Sequence, residues 1–117
     1  MRFAWTAGVL HALLGSTLLF LTLHPLRDAL AGPELELIKV GATWQGLQGL
    51  ALMAVATMTN ARRAASLMAA GPAISMAMIC YIAFTGDRPA AIVAVPAGGA
   101  ITALGWLALL VTRIDRR

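Results

Sequence analysis

The chain has 117 residues, of which 60% are hydrophobic and only 12% are charged, and its mean hydropathy is +0.81. A water-soluble domain carries about twice that share of charged residues, because polar groups must cover its core, so this composition excludes an ordinary soluble fold. The net charge of +4 does not indicate nucleic-acid binding, because the basic residues lie at the ends of apolar segments, where they act as membrane topology signals.

Four apolar segments follow one another along the chain. Each is about 20 residues long, which as a helix spans about 30 Å and matches the hydrocarbon thickness of a bilayer. They run from Phe3 to Leu23, from Val40 to Thr59, from Ala64 to Thr85 and from Ala90 to Val111. Backbone groups in lipid must be satisfied within their own segment, so each predicts a spanning helix. The expected fold is all-α: one transmembrane domain over residues 1–117, an antiparallel up-down four-helix bundle.

The region around the first connection carries two ambiguous signals. The sequence Ala29-Leu30-Ala31 resembles a signal-peptide cleavage site, but the apolar run before it is longer than a signal core of about 7–15 residues, so we expect a retained span. The stretch from His24 to Lys39 is predicted to be the one long loop. Within it, Pro25 to Leu30 is compatible with a short interfacial helix, and Pro33 with the start of the next helix.

Two short connections predict that the later helices are antiparallel neighbours. They are Asn60 to Arg63 and Gly86 to Pro89. This arrangement places six basic residues on one side of the membrane and three on the other. The six are Arg2, Arg62, Arg63, Arg113, Arg116 and Arg117, and the three are Arg27, Lys39 and Arg88. Because cytoplasmic loops carry the excess of basic residues, both termini are predicted to be cytoplasmic.

Small residues at four-residue spacing predict the faces on which the helices pack, because helices in lipid associate through close backbone approach. An alanine-rich composition also produces such spacings by chance. The four predicted stripes are Ala4, Gly8, Ala12 and Ser16; Gly41 and Gly49 around Gln45; Ala65, Ala69, Ala73 and Ala77; and Ala94, Gly98, Thr102 and Gly105.

Five polar side chains inside the segments form a candidate interhelical polar layer: His11, Gln45, Gln48, Ser75 and Thr102. An unsatisfied amide or imidazole in hydrocarbon is strongly unfavourable, so these groups should bond to one another. We expect His11 to pair with Gln48, and Ser75 or Thr102 to complete the set. The layer is interpreted as structural, at about 0.6 kcal/mol per contact, with a proton or solute pathway as the alternative.

Other features argue against a catalytic or metal-binding protein. Met76 and Cys80 lie one helical turn apart, but ordinary packing explains them better than a soft-metal site, so we expect no metal and no cofactor. The sequence has no phosphate loop, no dinucleotide glycine fingerprint and no nucleophile elbow, and we expect no enzymatic activity. Pro72 and Pro96 are predicted to remove backbone hydrogen bonds and kink the third and fourth helices.

Two motifs resemble those of a known family. Val95-Pro96-Ala97-Gly98-Gly99, followed after five residues by Gly105-Trp106, resembles the TPxGG…GW pattern of the small membrane proteins called domain of unknown function 423, which include the YgdD-like bacterial proteins and eukaryotic transmembrane protein 256. Trp44-Gln45 with Gln48 to Leu52 is similar to the family's YQxxHxLAL, although Gln48 replaces its histidine and Val95 its threonine. The matching positions are Trp44, Gln45, Pro96, Gly98, Gly99, Gly105 and Trp106.

The resemblance implies a four-helix, multi-pass protein of the bacterial inner membrane, in a family whose activity is unassigned. The favoured function is structural, or accessory to another membrane component, with the lipid bilayer as partner and a second membrane protein or self-association beside it. The alternative is a minimal oligomeric transporter or channel that uses the polar layer. A pore needs a continuous line of polar groups, whereas His11 is the only acid or base within the segments.

Overall fold

A computed structural model describes residues 1–58 and 60–112 of the chain. Every regular element in these two ranges is helical, which confirms the predicted all-α class. Thr59, the predicted end of the second segment, and Arg113, Arg116 and Arg117, which contribute to the predicted orientation, lie outside the described residues. The helices are α1 (Arg2–Leu21), α2 (Pro25–Ala29), α3 (Gly32–Met58), α4 (Arg62–Thr85) and α5 (Ala94–Leu110), and a short 3-10 helix (Ala90–Val93) precedes α5.

Three of the helical segments are long and apolar enough to cross a membrane. They are Arg2–Leu21, Arg62–Thr85 and Ala90–Leu110, with mean hydropathies of 1.6, 1.8 and 1.9. The composition of these segments indicates a membrane protein. Helix α3 is the longest helix but falls short of their hydropathy, because glycines and two glutamines, Gln45 and Gln48, interrupt its apolar half.

The stretch from His24 to Lys39, predicted to be the one long loop, is mostly helical, and the helix start suggested at Pro33 is confirmed to within one residue. Helix α2 occupies its first part, as the compatible short helix suggested, and α3 begins at Gly32 with Pro33 in its first turn. Glu34 and Glu36 interrupt the apolar pattern, but the helix includes both residues. The Lys39 ammonium donates to Glu36 Oε1 at 2.8 Å, one turn apart on the same exposed face. Hydropathy alone therefore placed the start of this helix eight residues too late, at Val40.

Helices α1 and α3 approach until their backbones meet. A Cβ atom added to Gly8 would lie 2.7 Å from the Gly49 carbonyl oxygen, and one added to Gly15 would lie 2.6 Å from the Ala42 carbonyl oxygen. Distances this short leave no room for a side chain on either glycine. As residue numbers rise along α1, the residues that it meets on α3 have falling numbers. We refer to these two helices as the α1/α3 pair.

Helices α4 and α5 meet in the same way and form the α4/α5 pair. A Cβ on Gly71 would lie 2.5 Å from the Gly98 carbonyl oxygen, and a Cβ on Gly105 would lie 2.7 Å from Cγ of Met68. The two pairs join along α3 and α4 through bulkier side chains instead. One apolar cluster contains Leu52 and Met68, and Met1 and Leu109 pack against it.

A second apolar cluster lies toward the other end of the molecule. It contains Ile38, Ala42, Met76, Ile79 and Ala83, and side chains from α1, from the α2 region and from the start of α5 pack against it. The two ends of the molecule are therefore held by separate apolar clusters, each bridging α3 and α4.

The predicted packing stripes are confirmed on α3 and, apart from half-buried Ala94, on α5, and they are corrected on α1 and α4. Gly41, Gln45 and Gly49 are buried on α3, and Gly98, Thr102 and Gly105 are buried on α5. On α1 the buried set is Ala4, Gly8, His11 and Gly15, so the stripe turns away from exposed Ser16. On α4, Ala73 and Ala77 are exposed, because this helix packs against both α3 and α5 and buries Met68, Gly71, Pro72, Ser75 and Met76 instead.

The two prolines occupy different helical positions. Pro72 lies inside α4, where it is buried, and the helix continues through it. Pro96 lies in the first turn of α5, where backbone N–H groups have no partner within the helix in any case.

Candidate functional site: polar contacts between the helices

His11 connects three helices. Its Nδ1 lies 3.1 Å from Nε2 of Gln45 on α3, and its Nε2 lies 2.9 Å from the Ala69 carbonyl oxygen on α4. Because a carbonyl oxygen only accepts, His11 Nε2 carries the proton and donates, and the Gln45 amide donates to Nδ1. Both side chains are buried, at 6% and 3% exposure. This network links the α1/α3 pair to α4.

The predicted partner of His11 is wrong, because Gln48 bonds elsewhere. Gln48 Oε1 accepts a hydrogen bond of 3.1 Å from Trp106 Nε1 on α5. Gln45 is one turn from both Gly41 and Gly49 and shares the buried face of α3. Gln48 lies three residues further along, and its position around the helix axis directs it away from α1. The two glutamines lie only three residues apart along α3, so rotation about the helix axis decides which one meets the imidazole.

Ser75 and Thr102 lie at the close contact of the α4/α5 pair. Ser75 Oγ donates to the Val95 carbonyl oxygen at 2.7 Å, which links the two helices. Thr102 Oγ1 donates to the Gly98 carbonyl oxygen of its own helix at 2.9 Å. The five predicted polar residues thus form four separate sets of hydrogen bonds rather than one shared layer.

The positions that match the family motifs lie on α3 and α5, two of the four helices that carry these contacts. Trp44 and Gln45 belong to α3, and the remaining positions, Pro96, Gly98, Gly99, Gly105 and Trp106, belong to α5. Sequence reasoning missed the role of Trp106 as the donor to Gln48. The signal available was chemical, since an indole N–H within a span needs an acceptor and Gln48 is one of few side chains that supply it.

One buried polar atom remains unsatisfied. Gln45 Oε1 has no hydrogen-bond partner among the described residues, although the amide nitrogen of the same side chain is bonded to His11. His11 and Gln45 also border a cavity of about 280 Å³ between α1 and α4, together with Met76 and Cys80. In the part of the chain that the structure describes, no three His, Cys, Asp or Glu side chains are grouped closely enough to hold a metal ion.

The Trp106–Gln48 contact makes a testable contribution to stability. Trp106→Phe and Gln48→Leu are each expected to lower the free energy of unfolding by about 0.6 kcal/mol and by no more than about 1.7 kcal/mol, the range for single polar contacts in lipid. The double variant should lose less than the sum, because the second change has no bond left to remove. Denaturation in mixed micelles measures these values. Trp5→Phe, at a half-exposed indole on α1, serves as the control and should change nothing.

Comparisons of the chain with protein-family models, with curated proteins and with solved structures give no match. The resemblance to the domain of unknown function 423 family therefore stays a prediction carried by the motif positions alone.

Proposed function

We propose that the chain is a four-span protein of the bacterial inner membrane, with α1, α3, α4 and α5 crossing the bilayer in alternating directions, and that its role is structural or accessory to another membrane component. The observation that carries this proposal is the distribution of side chains, which is inverted relative to a soluble protein. Large apolar side chains face outward, as at Leu13, Phe20 and Leu50, whereas the imidazole and the Gln45 amide are buried. Membership of the domain of unknown function 423 family is part of the same proposal.

The proposed orientation places both termini in the cytoplasm. The Met1 ammonium donates to the Ala56 carbonyl oxygen at 3.2 Å, so the N-terminus lies beside the last turns of α3. Arg62 and Arg63 follow directly after that helix. Arg27 lies in α2, Lys39 in the first part of α3 and Arg88 in the connection after α4, all toward the other end. This separation of basic residues supports a cytoplasmic side that holds the N-terminus and the turn between α3 and α4.

A cysteine-labelling experiment tests the insertion and the orientation together. In a Cys80→Ser background, Asn60→Cys and Ala29→Cys place one thiol at each end of the bundle, at exposed positions. In intact cells, a membrane-impermeant maleimide should label Cys at position 29 and should label position 60 only after the membrane is permeabilised. The reverse pattern would contradict the orientation, and release of the protein by alkaline carbonate would contradict the insertion.

The separation of the polar contacts favours the accessory role over the pore. Each of the five candidate polar residues makes a hydrogen bond to another side chain or to a carbonyl group, as the pairs His11–Gln45 and Gln48–Trp106 illustrate. A conducting line needs polar groups that remain free to exchange partners with water or solute. Reconstituted into liposomes, the protein should therefore leave proton and potassium leakage at the level of protein-free liposomes. Leakage that His11→Leu abolishes would replace this proposal with the transporter alternative.

A further inference from the structure

The cavity between α1 and α4 has an almost wholly apolar wall. It has a volume of about 280 Å³, and Leu14, Met76 and Cys80 contribute to its wall beside His11 and Gln45. Leu14 is 51% exposed, so this part of the wall lies at the outer surface of the bundle. Apolar cavities of about 150 Å³ in proteins stay dry and accept molecules such as benzene, so this one has room for a larger apolar body.

Gln45 borders the cavity, and its unsatisfied side-chain oxygen is the candidate polar anchor for a ligand. The hydrogen-bond network fixes its character: Ala69 requires the proton on His11 Nε2, His11 Nδ1 therefore accepts, and the Gln45 amide must present its nitrogen to the ring. Rotating the amide by 180° would place two acceptors face to face. The Gln45 oxygen therefore has no donor among the described residues. The residue itself is only 3% exposed.

A water molecule is a poor partner for this oxygen. A buried water makes about three hydrogen bonds, and a site that holds one supplies two to four polar partners. Both ring nitrogens of His11 are already bonded, and the other polar atoms of the wall are the sulfur atoms of Met76 and Cys80, which bond only weakly. A donor attached to an apolar body instead satisfies the oxygen and fills the apolar wall at the same time.

We propose that the cavity between α1 and α4 is a binding site for a lipid-soluble molecule that carries a hydroxyl group, and that this hydroxyl donates to Gln45 Oε1. That oxygen is covered, so the proposal requires a side chain of the wall to change rotamer on binding. Met76 is the candidate, because it lines the cavity and its unbranched thioether rearranges more readily than a branched side chain. The ligand class comprises long-chain alcohols and phenols, which share the apolar body and the single donor.

Cys80 makes this proposal measurable, because it is the only cysteine of the chain and it borders the cavity. The rate at which N-ethylmaleimide alkylates the detergent-solubilised protein reports the occupancy of the site. The probes are 1-naphthol against 1-methoxynaphthalene and 1-decanol against its methyl ether, each compared at equal mole fraction in the micelle. Within each pair only the hydroxyl donor differs. The hydroxyl compound should protect Cys80 at about three- to tenfold lower concentration than its ether, as one hydrogen bond predicts.

The two pairs distinguish the two sources of the ligand, since preference for 1-naphthol indicates a phenol and preference for 1-decanol a long-chain alcohol. Equal protection by a hydroxyl compound and its ether in both pairs, or no protection by any probe, would overturn the proposal on the native protein. Gln45→Leu should abolish the difference within the effective pair. Gln48→Leu, which changes the other glutamine of α3, should leave the difference intact, and loss of the difference in that variant would equally contradict the assigned anchor.

Discussion

Gly98→Ala is expected to lower the free energy of unfolding by about 1–3 kcal/mol, the usual effect of forcing an extra carbon atom into a packed contact. The added Cβ would meet the Gly71 carbonyl oxygen and the Ser75 hydroxyl, and it would lie 2.8 Å from the Ser75 backbone nitrogen. Backbone atoms cannot move aside as a side chain can, so α4 and α5 must separate. Denaturation in mixed micelles measures the loss.

The next residue of the same helix provides the matched control. A Cβ on Gly99 would meet nothing within 4 Å, so Gly99→Ala should leave stability unchanged or raise it by up to about 1 kcal/mol through higher helix propensity. The same comparison exists on α3. Gly49→Ala places a Cβ 2.5 Å from the Ala12 backbone nitrogen, whereas Gly46→Ala meets nothing within 4 Å. If either pair of variants showed equal stabilities, the close approach of the corresponding helices would be incorrect.

His11→Leu is the second change with a large expected effect. Leucine removes both hydrogen bonds of the imidazole and leaves the buried Gln45 amide without its acceptor, for which we expect a loss of about 1–3 kcal/mol. The Ala69 carbonyl group loses only a side-chain donor. Thermal unfolding of the solubilised protein, together with denaturation in mixed micelles, measures the effect.

A double-mutant cycle identifies the partner of the imidazole. His11→Leu with Gln45→Leu should show a coupling energy of about 0.6 kcal/mol, up to about 1.7 kcal/mol, as other polar pairs in membranes do. His11→Leu with Gln48→Leu should show additive effects, because Gln48 bonds to Trp106 instead. Coupling to Gln48 and additivity with Gln45 would restore the predicted pairing of His11 with Gln48 and would contradict the His11–Gln45 hydrogen bond.

Helix content followed from the sequence because hydropathy averages over many residues and tolerates error at any one of them. The positions of helix ends depend on fewer residues, and Glu34 and Glu36 were enough to hide the first two turns of α3. The rotation of each helix about its own axis depends on fewer residues still. Neighbouring glutamines three residues apart meet different helices, and the alanine spacing of α4 misidentified a face that Met68 and Met76 occupy. The long-range partners, such as Trp106 for Gln48, required the helices to be placed together.

The sequence was sufficient to predict that the buried polar side chains form hydrogen bonds, but not which groups they bond to. An imidazole and amides within apolar segments had to find partners, since hydrocarbon offers none. The carbonyl groups that accept these hydrogen bonds were not predictable, because every helix has many carbonyl groups. The Ala69 carbonyl oxygen accepts from His11 because of where α1 crosses α4. The unsatisfied Gln45 oxygen likewise becomes visible only once both ring nitrogens of His11 are assigned.

The unequal helix lengths determine how the protein responds to bilayer thickness. At about 1.5 Å per residue, the 27 residues of α3 extend about 40 Å, while the 20 residues of α1 extend about 30 Å and only just match an average hydrocarbon layer. In the proposed four-span arrangement, the extra length of α3 consists of its charged first turns, with Glu34, Glu36 and Lys39, so it lies beyond the hydrocarbon layer and not within it. A thicker bilayer would draw charged groups of both helices into lipid, Arg2 of α1 and Lys39 of α3, so this arrangement fits a thin membrane better than a thick, sterol-rich one.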